Sequence, residues 1–232
     1  MSPEQQAIWV PQAESYAISG SYAQTELSHG SNMRGIETTA TFDPTTDEFV
    51  IHSPTVSSHK YWIGSLGVLA THSLVVAKLI VHGKDLGNHI FLVQIRDLKT
   101  HDLVPGVIVR EQGPKSLGSF ASIDNGTMQF THKRIPRAQM LAGATSLDRD
   151  GTYHKAENQK HSYTSMIIVR GLMIAETGQD IAKAVIIALK YAAFRRQFNA
   201  ENGQETPIIN YASVKQRLYP FLCRVSLVLV FL

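Results

Sequence analysis

Residues 162–198 read SYTSMIIVRGLMIAETGQDIAKAVIIALKYAAFRRQF, and this stretch decides the fold. Its apolar residues Met166, Val169, Met173, Ile181, Val185, Ile186 and Leu189 recur with a helical period, with alanines between them and no proline. The spacing predicts one helix over Ser162–Phe198, about 50 Å long at about 1.5 Å per residue. A helix of that length in a globular protein implies one face of a helical bundle. Gly171 and Gly178 within it predict close helix packing. Ala200–Thr206 reads as a loop, and Pro207–Leu232 as the beginning of a second helix.

Upstream the period changes. From Gly20 to about Pro136 the chain reads as β-structure. Glu37–Phe42 and Glu48–His52 flank Asp43-Pro44-Thr45-Thr46-Asp47, a good turn between hairpin strands. His72–His82 and His89–Ile95 are apolar runs; Val107–Arg110 and Thr127–His132 are shorter strands. Asn125-Gly126 is a turn signal between extended segments. Several short strands at this spacing predict a barrel or sandwich. Leu141–Lys160 is a polar connector. Ser2–Tyr16 reads as a short helix, capped by Ser2 and started by Pro3, with Ile8, Trp9 and Val10 as apolar anchors. The expected class is α+β. A short helical segment (1–19) precedes a central β-barrel or sandwich domain (20–140); a connector (141–160) leads to the start of a helical domain (161–232). No internal repeat or low-complexity segment interrupts this order.

Composition narrows the function classes. The chain has 232 residues, 44% hydrophobic and 18% charged, as in a globular protein. Its net charge is +3 with no basic block, so no nucleic-acid surface is expected, although a mildly basic site suits an anionic ligand. Cys223 is the one cysteine; it forms no internal disulfide, and a reducing compartment fits best. No signal peptide is read at Met1–Gln6, and Val225–Leu232 is far shorter than the roughly 20 residues that span a bilayer. None of the ten histidines falls in HExxH or pairs at i, i+4 on a helix, so no metal is expected. No nucleophile elbow supports hydrolase chemistry. Gly64-Ser65-Leu66-Gly67 lacks the strand–helix context and Lys-Ser/Thr of a phosphate loop. Asn125-Gly126-Thr127 matches a glycosylation sequon by chance.

Several ordered motifs carry a resemblance. They begin with Tyr22-Ala23-Gln24-Thr25-Glu26-Leu27-Ser28-His29-Gly30-Ser31-Asn32, then Arg34-Gly35-Ile36-Glu37-Thr38-Thr39-Ala40-Thr41-Phe42-Asp43-Pro44. Phe49–Thr55, Lys60-Tyr61-Trp62-Ile63-Gly64, Pro105–Val109 and Gly113-Pro114-Lys115 follow. Asp124-Asn125-Gly126, Arg134-Ile135-Pro136-Arg137 and Tyr191–Phe198 complete the series. In this order and spacing, over almost the whole chain, the sequence resembles the acyl-CoA oxidases, covering roughly a third of that family's usual length. Ser28 stands where the family usually has glycine, Ile63 and Ser65 replace residues of its Trp-Pro-Gly-Gly stretch, Arg110-Glu111 replaces Gly-Asp, and Asn199 replaces the glycine after Phe198.

The resemblance implies FAD as cofactor and oxidation of fatty acyl-CoA to trans-2-enoyl-CoA, with O₂ as acceptor, in the peroxisome. The targeting tripeptide of that compartment is not at Leu232. Thr25, Trp62 and Gly64 match flavin-contacting or flavin-adjacent positions. A short hydroxyl and a glycine suit a planar ring, because they supply hydrogen bonding without bulk. Read by themselves, Thr25 is equally a turn hydroxyl and Trp62 a core filler. Arg195, with Gln197 and Phe198, matches the Arg-x-Gln-Phe motif, whose arginine reaches the flavin pyrophosphate of a partner subunit. A guanidinium fork suits a diphosphate, and a homodimer follows. The same arginine is also a cation suited to a helix C-terminus. No catalytic base is assigned: His161–Ala175 holds no acidic residue, Glu176 is the first carboxylate on the helix, and the family's base glutamate is expected in its C-terminal helical half. Two other readings stay open. One is an acyl-CoA dehydrogenase relative with another electron acceptor; the other is a non-catalytic flavin-domain protein or subunit.

Overall fold

The computed structural model describes residues 1–115, 122–155, 161–199 and 203–230. They form two compact units, Met1–Glu157 and Asn158–Leu232.

Within the first unit, α1 spans Pro3–Glu14. Ser2 caps it: its hydroxyl accepts the Gln5 N–H, and the Gln5 side chain returns the bond to the Ser2 N–H, a complete capping box. The expected anchors are corrected. Ile8 and Val10 are exposed, while Trp9 packs edge-on to His72 with ring centroids 5.6 Å apart. Polar bonds dock the helix instead, from the Gln5 amide to the carbonyls of Ala138 and Met140.

Nine strands follow: β1 (Gly20–Ala23), β2 (Thr39–Asp43), β3 (Glu48–His52), β4 (Lys60–Gly64), β5 (His72–Val81), β6 (Lys84–Gln94), β7 (Val107–Glu111), β8 (Asn125–Phe130) and β9 (Lys133–Pro136). A large sheet has the order β1-β5-β2-β3-β9, with β6 also paired to β5. Strands β1 and β2 run parallel to β5 at successive levels, beside His72–Val75 and Lys78–Ile80; β6 lies antiparallel to it. Flanked this way, β5 is buried along most of its length, which explains its near-continuous apolar sequence. Its hairpin to β6 turns on His82 and Gly83, both with positive φ as a two-residue primed turn requires.

The smaller sheet is β4-β8-β7. Backbone bonds also run between the two sheets. Leu27 N–H donates to His59 (2.9 Å), Tyr61 N–H to Thr25 (3.0 Å), and Ser53 N–H to Phe130 (3.0 Å). The result is the expected barrel-like β-domain. One core fills it, with Phe49, Ile51, Leu79, Phe91, Met128 and Phe130 fully enclosed. Each such side chain contributes about 1.5–3 kcal/mol on burial.

Two expectations for this unit need correction. Asn125-Gly126 is no turn; it begins β8 and is buried. Glycine is required there because a Cβ on Gly126 would lie 2.9 Å from Gly67 N and 3.1 Å from Gly67 Cα. The connector is also partly structured: β10 (Ser146–Leu147) and β11 (Tyr153–His154) form a hairpin that puts Leu147 into the core.

In the second unit, α2 spans His161–Phe194, 34 residues and about 51 Å. The helix ends four residues earlier than expected. Arg195-Arg196-Gln197-Phe198 does not close it: Arg196–Asn199 is β12, antiparallel to β13 (Glu205–Pro207), part of the expected loop. Pairing with a strand whose registered partners lie 6–11 residues on overrides helix propensity here. After a short 3₁₀ turn at Ile208–Asn210, α3 runs Ala212–Val230 with Pro220 inside it. Gly178 faces α3 closely, since a Cβ there would meet Val228 Cγ1 at 2.5 Å; a Cβ on Gly171 would meet nothing within 4 Å among the described residues, so close packing at Gly171 is corrected for these. Val185 is buried, whereas Val169, Met173, Ile181 and Ile186 are exposed.

Candidate functional site

The loop after β1 and strand β4 lie side by side. Tyr61 N–H donates to Thr25 O (3.0 Å), and Glu26 forms a bridge with Lys60. This pairing brings Thr25 to the strand that carries Trp62 and Gly64, so three of the sequence-derived candidates share one locality. Thr25 is exposed, and its hydroxyl has no hydrogen-bond partner among the described residues.

Trp62 is not core filler. The residue is 37% exposed and adopts φ +56°, in a region that non-glycine residues seldom occupy. The pairing of β4 with β8 shifts register between Lys60 and Ile63, and Trp62 sits in that bulge. Its N–H donates to Gln112 Oε1 (3.1 Å), and Lys115 Nζ stands 5.2 Å from the ring centroid. Bulges re-aim side chains and gather at functional sites. A left-handed tryptophan costs of order 1–3 kcal/mol, which the surrounding structure must hold in place. Gly64 is half-buried, and a Cβ there would press on Ile123 Cγ2 at 3.3 Å.

The loop beyond Gly64 is fixed from two sides. Ser65 N–H donates to Asp124 O (2.6 Å), and the Asp124 carboxylate accepts Val68 N–H (2.7 Å). The buried guanidinium of Arg96 donates to the carbonyls of Ala70 (2.6 Å), Leu66 (3.1 Å) and Gly67 (2.8 Å). Burial lowers the Arg96 pKa from its ordinary value. A cavity of about 570 Å³ opens beside this loop, lined by Val68, Leu69, His101, Pro114, Ile123 and Asp124 among others. Thr25 and Trp62 do not line it.

Sequence reading missed the groups that hold this site. Glu26 and Lys60 form a fully buried ion pair, Nζ to Oε1 3.0 Å. Burial draws the Lys60 pKa down to about 8, against the opposing pull of the Glu26 charge. Nearby, Glu37 accepts the hydroxyls of Thr55, Ser57 (2.9 Å) and Ser28 (3.3 Å). These bonds, Thr55 first, hold its carboxyl below the usual range. Ser28 fits here without disruption, because its hydroxyl also donates to Ser57 O (3.1 Å). A glutamate and a lysine 34 residues apart carry no local signal of pairing; only the strand register joins them.

The other candidates lie in the second unit. Arg195 is exposed, and its guanidinium has no partner among the described residues; its N–H closes the last turn of α2 on Tyr191 O (2.7 Å). Gln197 O accepts the Tyr211 hydroxyl (2.7 Å). Phe198 lies at a bulge with φ +60° and is 71% exposed. Glu176, the first carboxylate on α2, is exposed. Among the described residues no group of three or more His, Cys, Asp or Glu could hold a metal, and no helix is long and apolar enough to cross a membrane.

Comparisons with known proteins agree with one another. The family model "Acyl-CoA oxidase, C-alpha1 domain" matches residues 163–231. Peroxisomal acyl-coenzyme A oxidase 1 of Arabidopsis thaliana is 47% identical over 222 residues, which is 94% of this chain and 33% of that protein. The solved Arabidopsis thaliana acyl-CoA oxidase 1 superposes with a TM-score of 0.93 at 44% identity, over 98% of this chain and 35% of that one. Acyl-CoA oxidase-2 of Caenorhabditis elegans, solved with FAD, ascaroside-CoA and ATP, gives 0.92 at 42% identity, over 97% and 34%. The chain thus spans about a third of the length of the relatives it matches.

Proposed function

Because this chain belongs to the acyl-CoA oxidase family, we propose that it supplies flavin-facing β-structure and the first long helix of a peroxisomal enzyme of fatty acid oxidation. The complete protein would convert fatty acyl-CoA to trans-2-enoyl-CoA and pass the electrons to O₂, giving H₂O₂. The carrying observation is the exposed Thr25 hydroxyl, without a partner among the described residues, beside a bulged, left-handed, exposed Trp62.

These residues fit FAD. A free hydroxyl donates to the edge of an isoalloxazine ring, an exposed indole packs on its plane, and the small, half-buried Gly64 lets backbone come close. Arg195 supplies an exposed guanidinium whose fork matches a diphosphate; Gln197 and Phe198 accompany it in the family motif. By that motif the diphosphate is the partner subunit's, so the complete protein is a homodimer. Bound flavin supplies the electron acceptor for the reaction. This chain's part is to bind and orient it, and none of its residues is assigned as the base.

The test is equilibrium dialysis of the chain against FAD. Losing one neutral hydrogen bond costs about 0.5–1.5 kcal/mol, so Thr25→Val should weaken binding about 2–10-fold. Trp62→Ala should weaken it further. Affinity unchanged in both variants would remove the site from this surface.

A further inference from the structure

The side chains of Glu26 and Lys60 are both 0% exposed. Moving two such charges out of water costs several kcal/mol per ion, recovered only if each is fully bonded. Here each is. The Glu26 carboxylate accepts the N–H of Glu37 (2.7 Å), the N–H of Thr38 (3.0 Å) and the hydroxyl of Thr38 (2.6 Å), besides Lys60. The Lys60 ammonium donates to Glu26 and to the carbonyls of Gln24 (3.2 Å) and Val76 (2.7 Å), which uses its three protons. A pair of leucines would fill this space at lower desolvation cost, but it would hold none of these backbone groups.

What the pair holds lies on either side of the candidate site. Thr25 sits between Gln24, whose carbonyl Lys60 grips, and Glu26, whose carboxylate Lys60 grips. Trp62 is two residues beyond Lys60, across the β-bulge. We propose that Glu26 and Lys60 are a positioning pair for flavin: they fix the Thr25 hydroxyl in register with the bulged Trp62, so that both meet one ring. This rests on the flavin reading above. Neither residue touches the ring; both act through their neighbours.

The experiment uses the full chain with Glu26→Gln, Lys60→Met and each combined with Thr25→Val. FAD affinity is read by dialysis, and amide exchange at Leu27 and Tyr61 is read without FAD. Glu26→Gln keeps the side-chain volume, so it serves if Lys60→Met does not fold by circular dichroism. Each single substitution should weaken FAD binding about three- to tenfold, no more than loss of the hydroxyl it positions. It should also speed exchange at Leu27 and Tyr61, whose N–H groups bind His59 O and Thr25 O. In the Thr25→Val background, the same substitution should weaken binding less than threefold, because the group it positions is gone. Binding within twofold of the parent, effects that multiply fully with Thr25→Val, or unchanged exchange would each overturn the positioning role. A parent chain that fails to bind FAD while the variants exchange faster would instead overturn the flavin reading beneath it.

Discussion

Gly126→Ala tests how the site's scaffold is built. If Asn125-Gly126 were a hairpin turn, glycine would serve positive φ, and asparagine would be a tolerable replacement. In the structure Gly126 is a strand residue, and its role is the close approach of two backbones. A Cβ on Gly126 would meet Gly67 N at 2.9 Å, Gly67 Cα at 3.1 Å and Leu66 C at 3.2 Å; reciprocally, a Cβ on Gly67 would meet Asn125 O at 2.7 Å. All of these except the Asn125 carbonyl oxygen lie on the loop that Arg96 and Asp124 pin, and none is a flexible side-chain tip. The contact is therefore relieved only by moving backbone. Overpacking of this kind costs about 1–3 kcal/mol. Taking about 2 kcal/mol and a urea slope of about 2 kcal/mol per molar, the midpoint should fall by roughly 1 M. Gly126→Asn should cost more than alanine, and Gly67→Ala plus Gly126→Ala should cost less than the sum, since one displacement relieves both. The assay is urea unfolding followed by tryptophan fluorescence. Alanine within about 0.3 kcal/mol of the parent, or asparagine better tolerated than alanine, would refute the close-approach argument.

Three further outcomes are expected. Arg96→Met leaves three carbonyls of the loop after Gly64 without their donor; at about 1.5–3 kcal/mol for bonds to a charged group, thermal unfolding should show a clear loss of stability, and hydrogen exchange at Val68 and Leu69 should rise. His72 is buried, and its pKa is lowered from 6.5 by that burial. Its unfolded form therefore binds a proton first, so stability is intact above pH 6.5 and is lost as pH falls below it. His89, lowered mainly by burial, adds to the same window. The melting temperature should drop from pH 7.5 to 5.5, and less so in His72→Asn. Finally, the chain with FAD and a long-chain acyl-CoA should release no peroxide beyond the flavin blank, since no residue here is assigned as base and losing a general base costs about 10²–10⁴-fold.

The legible parts of the fold share a cause. The β5 run, the Asp43–Asp47 turn and the α1 cap are local patterns, and the structure keeps each of them. The early end of α2 was not legible, because Arg196–Asn199 leaves the helix to pair with Glu205–Pro207, and no glycine or proline marks the exit. The Asn125-Gly126 dipeptide misled because its glycine answers a tertiary contact with Gly67 rather than a local dihedral. In the site, Thr25, Trp62 and Gly64 were found through the resemblance, not through chemistry that spacing reveals. Glu26, Lys60 and Arg96 escaped notice because charged residues usually read as solvent-facing, and only the packing of the β-domain buries them.

Emission from Trp62 tests the central claim most directly. The chain has two tryptophans, so Trp9→Phe leaves Trp62 as sole reporter. Titrating this variant with FAD should quench Trp62 in a saturable way, with the same midpoint as dialysis, and Thr25→Val should move that midpoint to higher FAD. Binding of FAD by dialysis with no change in Trp62 emission, or no binding at all, would contradict a flavin site at Thr25, Trp62 and Gly64.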